Sequence, residues 1–134
     1  MRFMLLLKGD PAPGEMPSAE LVEAMMAYNE ELAKAGVMLA GEGLHDSSQG
    51  ARVVYSSGRK TVIDGPFTEA KELIAGFLLI DVRSREEAIE WARRCPVEVA
   101  VAGTDREAVV EVRRVAEPEE IPTVAEVTAR RSAE

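Results

Sequence analysis

Two short segments of this chain are apolar at every position, so neither has a polar side to turn toward water. If Phe3-Met4-Leu5-Leu6-Leu7 is extended, Phe3, Leu5 and Leu7 point one way and Met4 and Leu6 the other. In Phe77-Leu78-Leu79-Ile80, running on to Val82, Phe77 and Leu79 take one side, and Leu78, Ile80 and Val82 the opposite one. Strands of this kind belong in a sheet that is covered on both faces. The rest of the chain must therefore supply two covers, and its own helices have to be counted against that need.

The remaining pattern supplies two helices that can lie on the sheet. Ser18 is a good N-cap for a helix running to about Ala35, with Glu20 and Glu23 near its positive end and Gly36 as the stop. Leu21, Met25, Tyr28, Leu32 and Ala35 recur at helical spacing and predict the buried stripe, which Val22, Met26 and Ala33 widen. Ser84 and Glu87 make an S-x-x-E capping box that opens a second helix to about Arg94, with Ala88, Trp91, Ala92 and Cys95 facing inward and Pro96 ending it. Strands are predicted at Arg2 to Lys8, Val37 to Leu44 and Phe77 to Val82, with a last one at Ala108 to Val115. Ala51 to Ser56 and Arg59 to Ile63, joined by Ser57-Gly58, predict a hairpin. The glycines on either side of Glu42 suggest a bulge or a close backbone approach. Val97 to Ala102 alternates and reads as a further short strand. From Glu117 onward the chain is acidic, with Ile121, Val124 and Val127 at helical spacing, so the tail reads as a short docked helix or as partly disordered.

Strand, helix, strand, hairpin, strand, helix, strand is a βαββαβ frame with one inserted hairpin. Two helices cover only one face of a four-stranded antiparallel sheet. A second copy of the same sheet is the simplest cover for the other face, and a two-fold dimer is the commonest closed assembly. The sequence thus predicts a homodimer with sheets packed face to face. The competing reading folds the tail, Glu117 to Glu134, over the sheet instead.

Composition narrows the partners. Sixteen basic residues against twenty-four acidic ones leave the 134-residue chain at −8, which argues against a nucleic-acid surface and against docking on an anionic membrane. One cysteine, Cys95, cannot form an internal disulfide, and no apolar run is long enough to cross a bilayer. The expectation is a cytoplasmic protein. One histidine and one cysteine without a spaced cluster do not make a zinc site of the usual kind, and no phosphate loop, dinucleotide fingerprint or G-x-S-x-G elbow is present. No metal and no cofactor are expected.

Between the hairpin and the apolar strand from Phe77 lies a charged, turn-rich loop. Asp64-Gly65-Pro66-Phe67, then Lys71-Glu72, then Gly76-Phe77, resembles the signature of the YCII-related family known as the DGPF-domain proteins. Met1 to Asp10 (MRFMLLLKGD) resembles that family's opening strand, Ala40 to Leu44 (AGEGL) its second-strand ending, and Trp91 to Pro96 (WARRCP) its second-helix ending. The resemblance runs from Met1 to about Val115, with separated motifs in the right order. It implies an α+β, ferredoxin-like βαββαβ fold with an inserted β-hairpin, of the dimeric α/β-barrel type, over residues 1–116, followed by an acidic tail over 117–134. It implies a site built from a His and an Asp, matched here by His45 and Asp64. It also implies an association with extracytoplasmic-function sigma factors, while leaving the reaction unassigned. The segment between Cys95-Pro96 and Glu111-Val112-Arg113 is longer than the family pattern, and an extra hairpin fits there.

Candidate site residues gather around the same loop. His45, the only histidine, sits just past a strand end beside Asp46, and imidazole suits proton transfer near neutrality. It reads either as a catalytic residue or as a surface loop histidine, and Asp64 or Glu42 are possible partners through space. Asp64 reads either as a general base or as a turn residue bonding its own backbone. Asp10, Glu42, Phe67, Glu69, Lys71 and Glu72 are the substrate-binding candidates, with the alternative that Lys71 and Glu72 are a solvated surface pair. Two functions follow. One is a cofactor-free small-molecule enzyme using His/carboxylate proton transfer in a cleft at the 64–76 loop. The other is a non-enzymatic ligand- or partner-binding accessory module.

Overall fold

The computed structural model describes residues 1–133; Glu134, the end of the predicted tail, lies outside the described residues. The described residues form strands β1 (Arg2–Lys8), β2 (Met38–Gly43), β3 (Ala51–Ser56), β4 (Arg59–Asp64), β5 (Ile74–Asp81) and β6 (Val110–Arg114), with helices α1 (Ala19–Lys34), α2 (Arg85–Arg94) and α3 (Pro122–Ser132). The main sheet is four-stranded and antiparallel in the order β2-β5-β1-β6, and β3 and β4 pair only with each other as a separate ribbon.

The doubly apolar strands lie side by side at the centre, as their composition requires. β1 and β5 pair with Leu5 opposite Leu78 and Leu6 opposite Phe77. One face of the sheet carries Phe3, Leu5, Leu78 and Ile80, all at most 3% exposed, packed with Tyr28, Leu32, Trp91 and Cys95 beneath α1 and α2. Burial at this level is worth about 1.5–3 kcal/mol for each large apolar side chain. Inside that layer the Tyr28 hydroxyl donates to the Trp91 carbonyl at 2.6 Å, and the two rings meet edge to face with centroids 6.3 Å apart. Burial pushes the Tyr28 hydroxyl well up from its ordinary range and the Cys95 thiol up to about 11, so Cys95 is packing and not a nucleophile.

Several local expectations are corrected. Val22 and Met26 are 42% and 59% exposed, and Ala33 is exposed too. At 100° per residue they lie about 100–140° around α1 from the line through Leu21, Tyr28 and Leu32, beyond the one side that meets the sheet. Val97–Val101 is a 3-10 helix, not a strand, started by Pro96, whose carbonyl accepts from the Val99 N–H at 3.3 Å. A short alternating apolar run fits either state. The extra hairpin is therefore absent among the described residues, and β6 follows an irregular stretch. The irregularity in β2 falls between Met38 and Ala40, so of the two expectations at the glycines it is the close approach that holds: a Cβ on Gly41 would lie 2.7 Å from the Leu78 side chain. Strand β5 begins three residues earlier than predicted, because Gly76 lies inside it. A Cβ there would come within 2.8 Å of the Glu42 carbonyl, so the strands close up only with glycine. The Ser84 hydroxyl caps α2 by accepting from Glu87 N–H at 3.1 Å, but the Glu87 carboxylate accepts from Arg83 N–H at 2.8 Å, one residue earlier than a capping box places it.

The second face of the sheet has neither helix on it. By register its rows read Glu42, Phe77, Leu6, Glu111 and Ala40, Leu79, Met4, Arg113. It is an apolar centre with charged ends. The tail does not lie flat over this face: α3 is exposed along its whole length and is tethered at its root, where Arg2 Nε and Nη2 donate to the two Glu117 carboxylate oxygens at 2.7 and 2.9 Å.

Candidate functional site

At one end of the sheet, β1 finishes at Lys8, β2 at Gly43, and β5 begins at Ile74. The backbone ties these ends together: Gly9 N–H donates to Leu73 O at 2.9 Å and Leu44 N–H to Ala75 O at 2.8 Å. The β3–β4 ribbon leaves and re-enters the chain here, so this end is the root of an arm. The candidate loop, residues 64–76, forms half of that root.

Ser47 is the pivot. Its N–H and hydroxyl donate to the two Asp10 carboxylate oxygens at 2.7 and 2.6 Å, and the same hydroxyl accepts from the Phe67 N–H at 2.9 Å. Three segments far apart in sequence are thus pinned at one hydroxyl. Asp46 caps the 3-10 turn Ser47–Gln49, accepting from the Ser48 N–H at 3.0 Å and from the Ser48 hydroxyl. The Ser48 hydroxyl bond is the main reason its carboxyl lies below the usual carboxylate range, and the charge of His45 adds to it. Gly65 N–H donates to Gly50 O at 3.0 Å, and a Cβ on Gly65 would lie 1.8 Å from the Ser47 carbonyl oxygen. Glycine is therefore required at that point of the loop. The Gly65–Pro66 bond is cis. Past it, the Phe67 ring lies under the Arg52 guanidinium at 3.8 Å, and Arg52 reaches the Glu69 carboxylate at 3.5 Å. The Glu69 carboxyl is held down chiefly by its own backbone N–H, with Arg52 adding to the effect.

The structure sorts the predicted site residues into two groups. Asp10, Phe67 and Glu69 are committed to the root: Asp10 by two hydrogen bonds, Phe67 by its N–H and its ring, Glu69 by Arg52. Glu42, His45, Asp64, Lys71 and Glu72 are exposed, and no side-chain hydrogen bond or ion pair joins them to one another among the described residues. Glu42 stands on the open sheet face opposite Phe77, His45 lies two residues past the end of β2, and Asp64 closes β4 opposite Ala51. They share one end of the molecule without meeting in one hydrogen-bonded cluster. Asp46 does not orient His45, since its carboxylate serves Ser48.

Sequence reasoning missed Ser47 and Arg52. Ser47 had a local signal, because Asp46-Ser47-Ser48 is a run of capping residues just past a strand. Its partners, 37 and 20 residues away, had none. Among the described residues no group of three or more His, Cys, Asp or Glu is placed to hold a metal ion, and no helix is long and apolar enough to cross a membrane.

A sequence model of the YCII-related domain matches residues 1–117, most of the chain. The chain belongs to the YCII-related family. A relative in that range, an uncharacterized protein of Rhizobium meliloti (strain 1021), is 33% identical over 97 residues, which are 69% of this chain and 78% of the relative. Among solved structures, the chain is similar to 5-chloro-2-hydroxyhydroquinone dehydrochlorinase from Burkholderia phenoliruptrix AC1100, in complex with 2,5-dihydroxybenzoquinone. That likeness has 19% identity and a TM-score of 0.40, over 89% of this chain and 98% of that one. The YCII match ends at Glu117, the residue that Arg2 grips, so α3 lies beyond it.

Proposed function

We propose that this YCII-related protein is a homodimer that acts on a small molecule without a cofactor, by proton transfer at the rim of the open sheet face. In this reading His45 carries the proton, Asp64 is the carboxylate that serves it, and Glu42, Lys71 and Glu72 contact the ligand. The observation that carries the reading is the division at the arm root. Asp10, Asp46 and Glu69 are spent on internal bonds, whereas His45 and the carboxylates around it face solvent at one end of an apolar face. Two hollows of the single chain lie over the outer side of α1 and beside the start of α2. A second copy on the open face would turn that rim into an enclosed site. The order β2-β5-β1-β6 with α1 and α2 on one face supports a ferredoxin-like unit of the dimeric α/β-barrel type. A cytoplasmic location fits the same reading.

The test is exchange of solvent deuterium into small polar and aromatic compounds that carry a C–H beside a carbonyl. A turnover signal that falls at least a hundredfold in His45→Gln and in Asp64→Asn, with unchanged circular dichroism, supports the assignment; general acid–base groups typically contribute about 10²–10⁴-fold. Exchange that survives both substitutions contradicts it.

One observation favours the accessory-module reading. The outer side of α1 carries Val22 and Met26, exposed and far from the open sheet face, beside Glu23 and Glu30. That patch would suit a protein partner such as a sigma factor. Val22→Glu with Met26→Glu would abolish such binding and leave the dimer and any turnover intact.

A further inference from the structure

The β3–β4 arm is composed like an interface. All six residues of β4 are exposed, as are five of the six in β3. Register places Val53 opposite Val62 and Tyr55 opposite Lys60, so these four side chains share one face of the ribbon. On that face Val53, Val62 and Tyr55 are 66%, 66% and 69% exposed. The other face meets the root through Arg52 over Phe67. A two-stranded ribbon is at best marginally stable alone in water, and a patch of this kind marks a contact surface.

We propose that in the homodimer each arm reaches over the β2 edge of the second copy's open sheet face, beside the packed sheets, setting Tyr55 and Lys60 against Glu42 of the partner subunit and closing that subunit's site. This rests on the homodimer reading above and adds which segment makes the contact. Three observations choose a second copy as occupant. First, charge: the arm holds three cations, Arg52, Arg59 and Lys60, against one anion, Asp64, in a chain with sixteen cations and twenty-four anions. A basic arm and an acidic body attract, which offsets the repulsion between two chains of −8. Second, complementarity: the open face ends in Glu42 at its β2 edge and in Glu111 at its β6 edge. Glu111 already has Arg113 at 3.2 Å, while no cation is paired with Glu42 among the described residues. Third, reach: a six-residue strand spans about 20 Å, enough to cross the roughly 10 Å between two sheets packed face to face. The arm is held at its root by the Asp10–Ser47–Phe67 pivot, and its strands pair only with each other.

The experiment mixes natural-abundance and ¹⁵N-labelled protein, lets subunits exchange, and applies a zero-length carbodiimide cross-linker before peptide mass spectrometry. The proposal expects Lys60 joined to Glu42 in peptides that combine light and heavy halves, and loss of that product in Lys60→Gln. It also expects Val62→Asp to weaken dimerisation at least tenfold with unchanged circular dichroism. A dimer whose Lys60 cross-links stay within one chain, or avoid the open face, overturns the arm's role and leaves the homodimer standing. A dimerisation constant unmoved by Val62→Asp does the same. A protein that is monomeric throughout overturns both.

Discussion

Val62 in the arm and Ile80 in the sheet are both β-branched residues in antiparallel strands, yet one is 66% exposed and the other 0%. Strand formation is the same in both places: alternating, β-branched segments with a partner strand in register. What differs is the third dimension. The central strands have α1 and α2 packed on one face, so their side chains end up under Tyr28, Leu32 and Trp91. The arm has a partner strand and a pinned root, and neither covers its Val53, Tyr55 and Val62 face. Local pattern makes a strand; a packed neighbour makes a core. The arm therefore owes its position to polar pins at one end, while the sheet owes its own to apolar burial throughout.

That contrast can be broken by substitution. The largest effect belongs to the sheet: Ile80→Ala should cost about 2–5 kcal/mol in urea unfolding, the range for emptying a buried site. Gly65→Ala comes next. Its Cβ would collide with the Ser47 carbonyl, so a cost of about 1–3 kcal/mol is expected together with faster proteolysis within residues 51–64. Ser47→Ala removes the hydroxyl between Asp10 and Phe67 and should cost about 1 kcal/mol, with faster amide exchange at Phe67 and unchanged exchange at Leu78. Thr61→Ala, on an exposed arm strand, should stay within about 0.5 kcal/mol of wild type. If Ser47→Ala loosened the central strands as much as the arm, the two regions would not be held in different ways.

A pH titration sharpens the comparison at the opposite end of the sheet. Arg2 holds the Glu117 carboxyl below its ordinary value of 4.5, first by hydrogen bonding and then by charge, with partial burial opposing. A carboxyl with a lowered folded-state value stabilises the fold above its unfolded value and loses that contribution as the pH drops through the lowered one. The tether of α3 should therefore be intact from neutrality down to pH 4.5 and loosen below it. Amide exchange in α3 measured against pH checks this, and release already at pH 6 would contradict it.

How much of this was legible in the sequence depends on the distance over which each cause acts. The central strands and the inner stripe of α2 were readable because Phe3 to Leu7, Phe77 to Val82 and Ala88-Trp91-Cys95 carry their own periodicity. The outward placement of Val22 and Met26 was not readable, since it depends on how many neighbours α1 has. Val97 to Val101 misled because a short apolar run takes its state from the turn that precedes it. At the candidate site, the Asp64 to Phe77 stretch forms half of the arm's root. The division of labour within it was hidden: Asp10 and Glu69 serve the root, and His45 and Asp64 do not, because Ser47 and Arg52 make bonds that no local pattern announces.

The central claim is that the open sheet face is covered by a second copy of the chain. Sedimentation equilibrium at low micromolar concentration tests it most directly, on the wild type and on Leu79→Asp, which puts a charge in the middle of that face. The account predicts twice 14.6 kDa for the wild type and 14.6 kDa for a still-folded Leu79→Asp. A wild type that sediments at 14.6 kDa would contradict it.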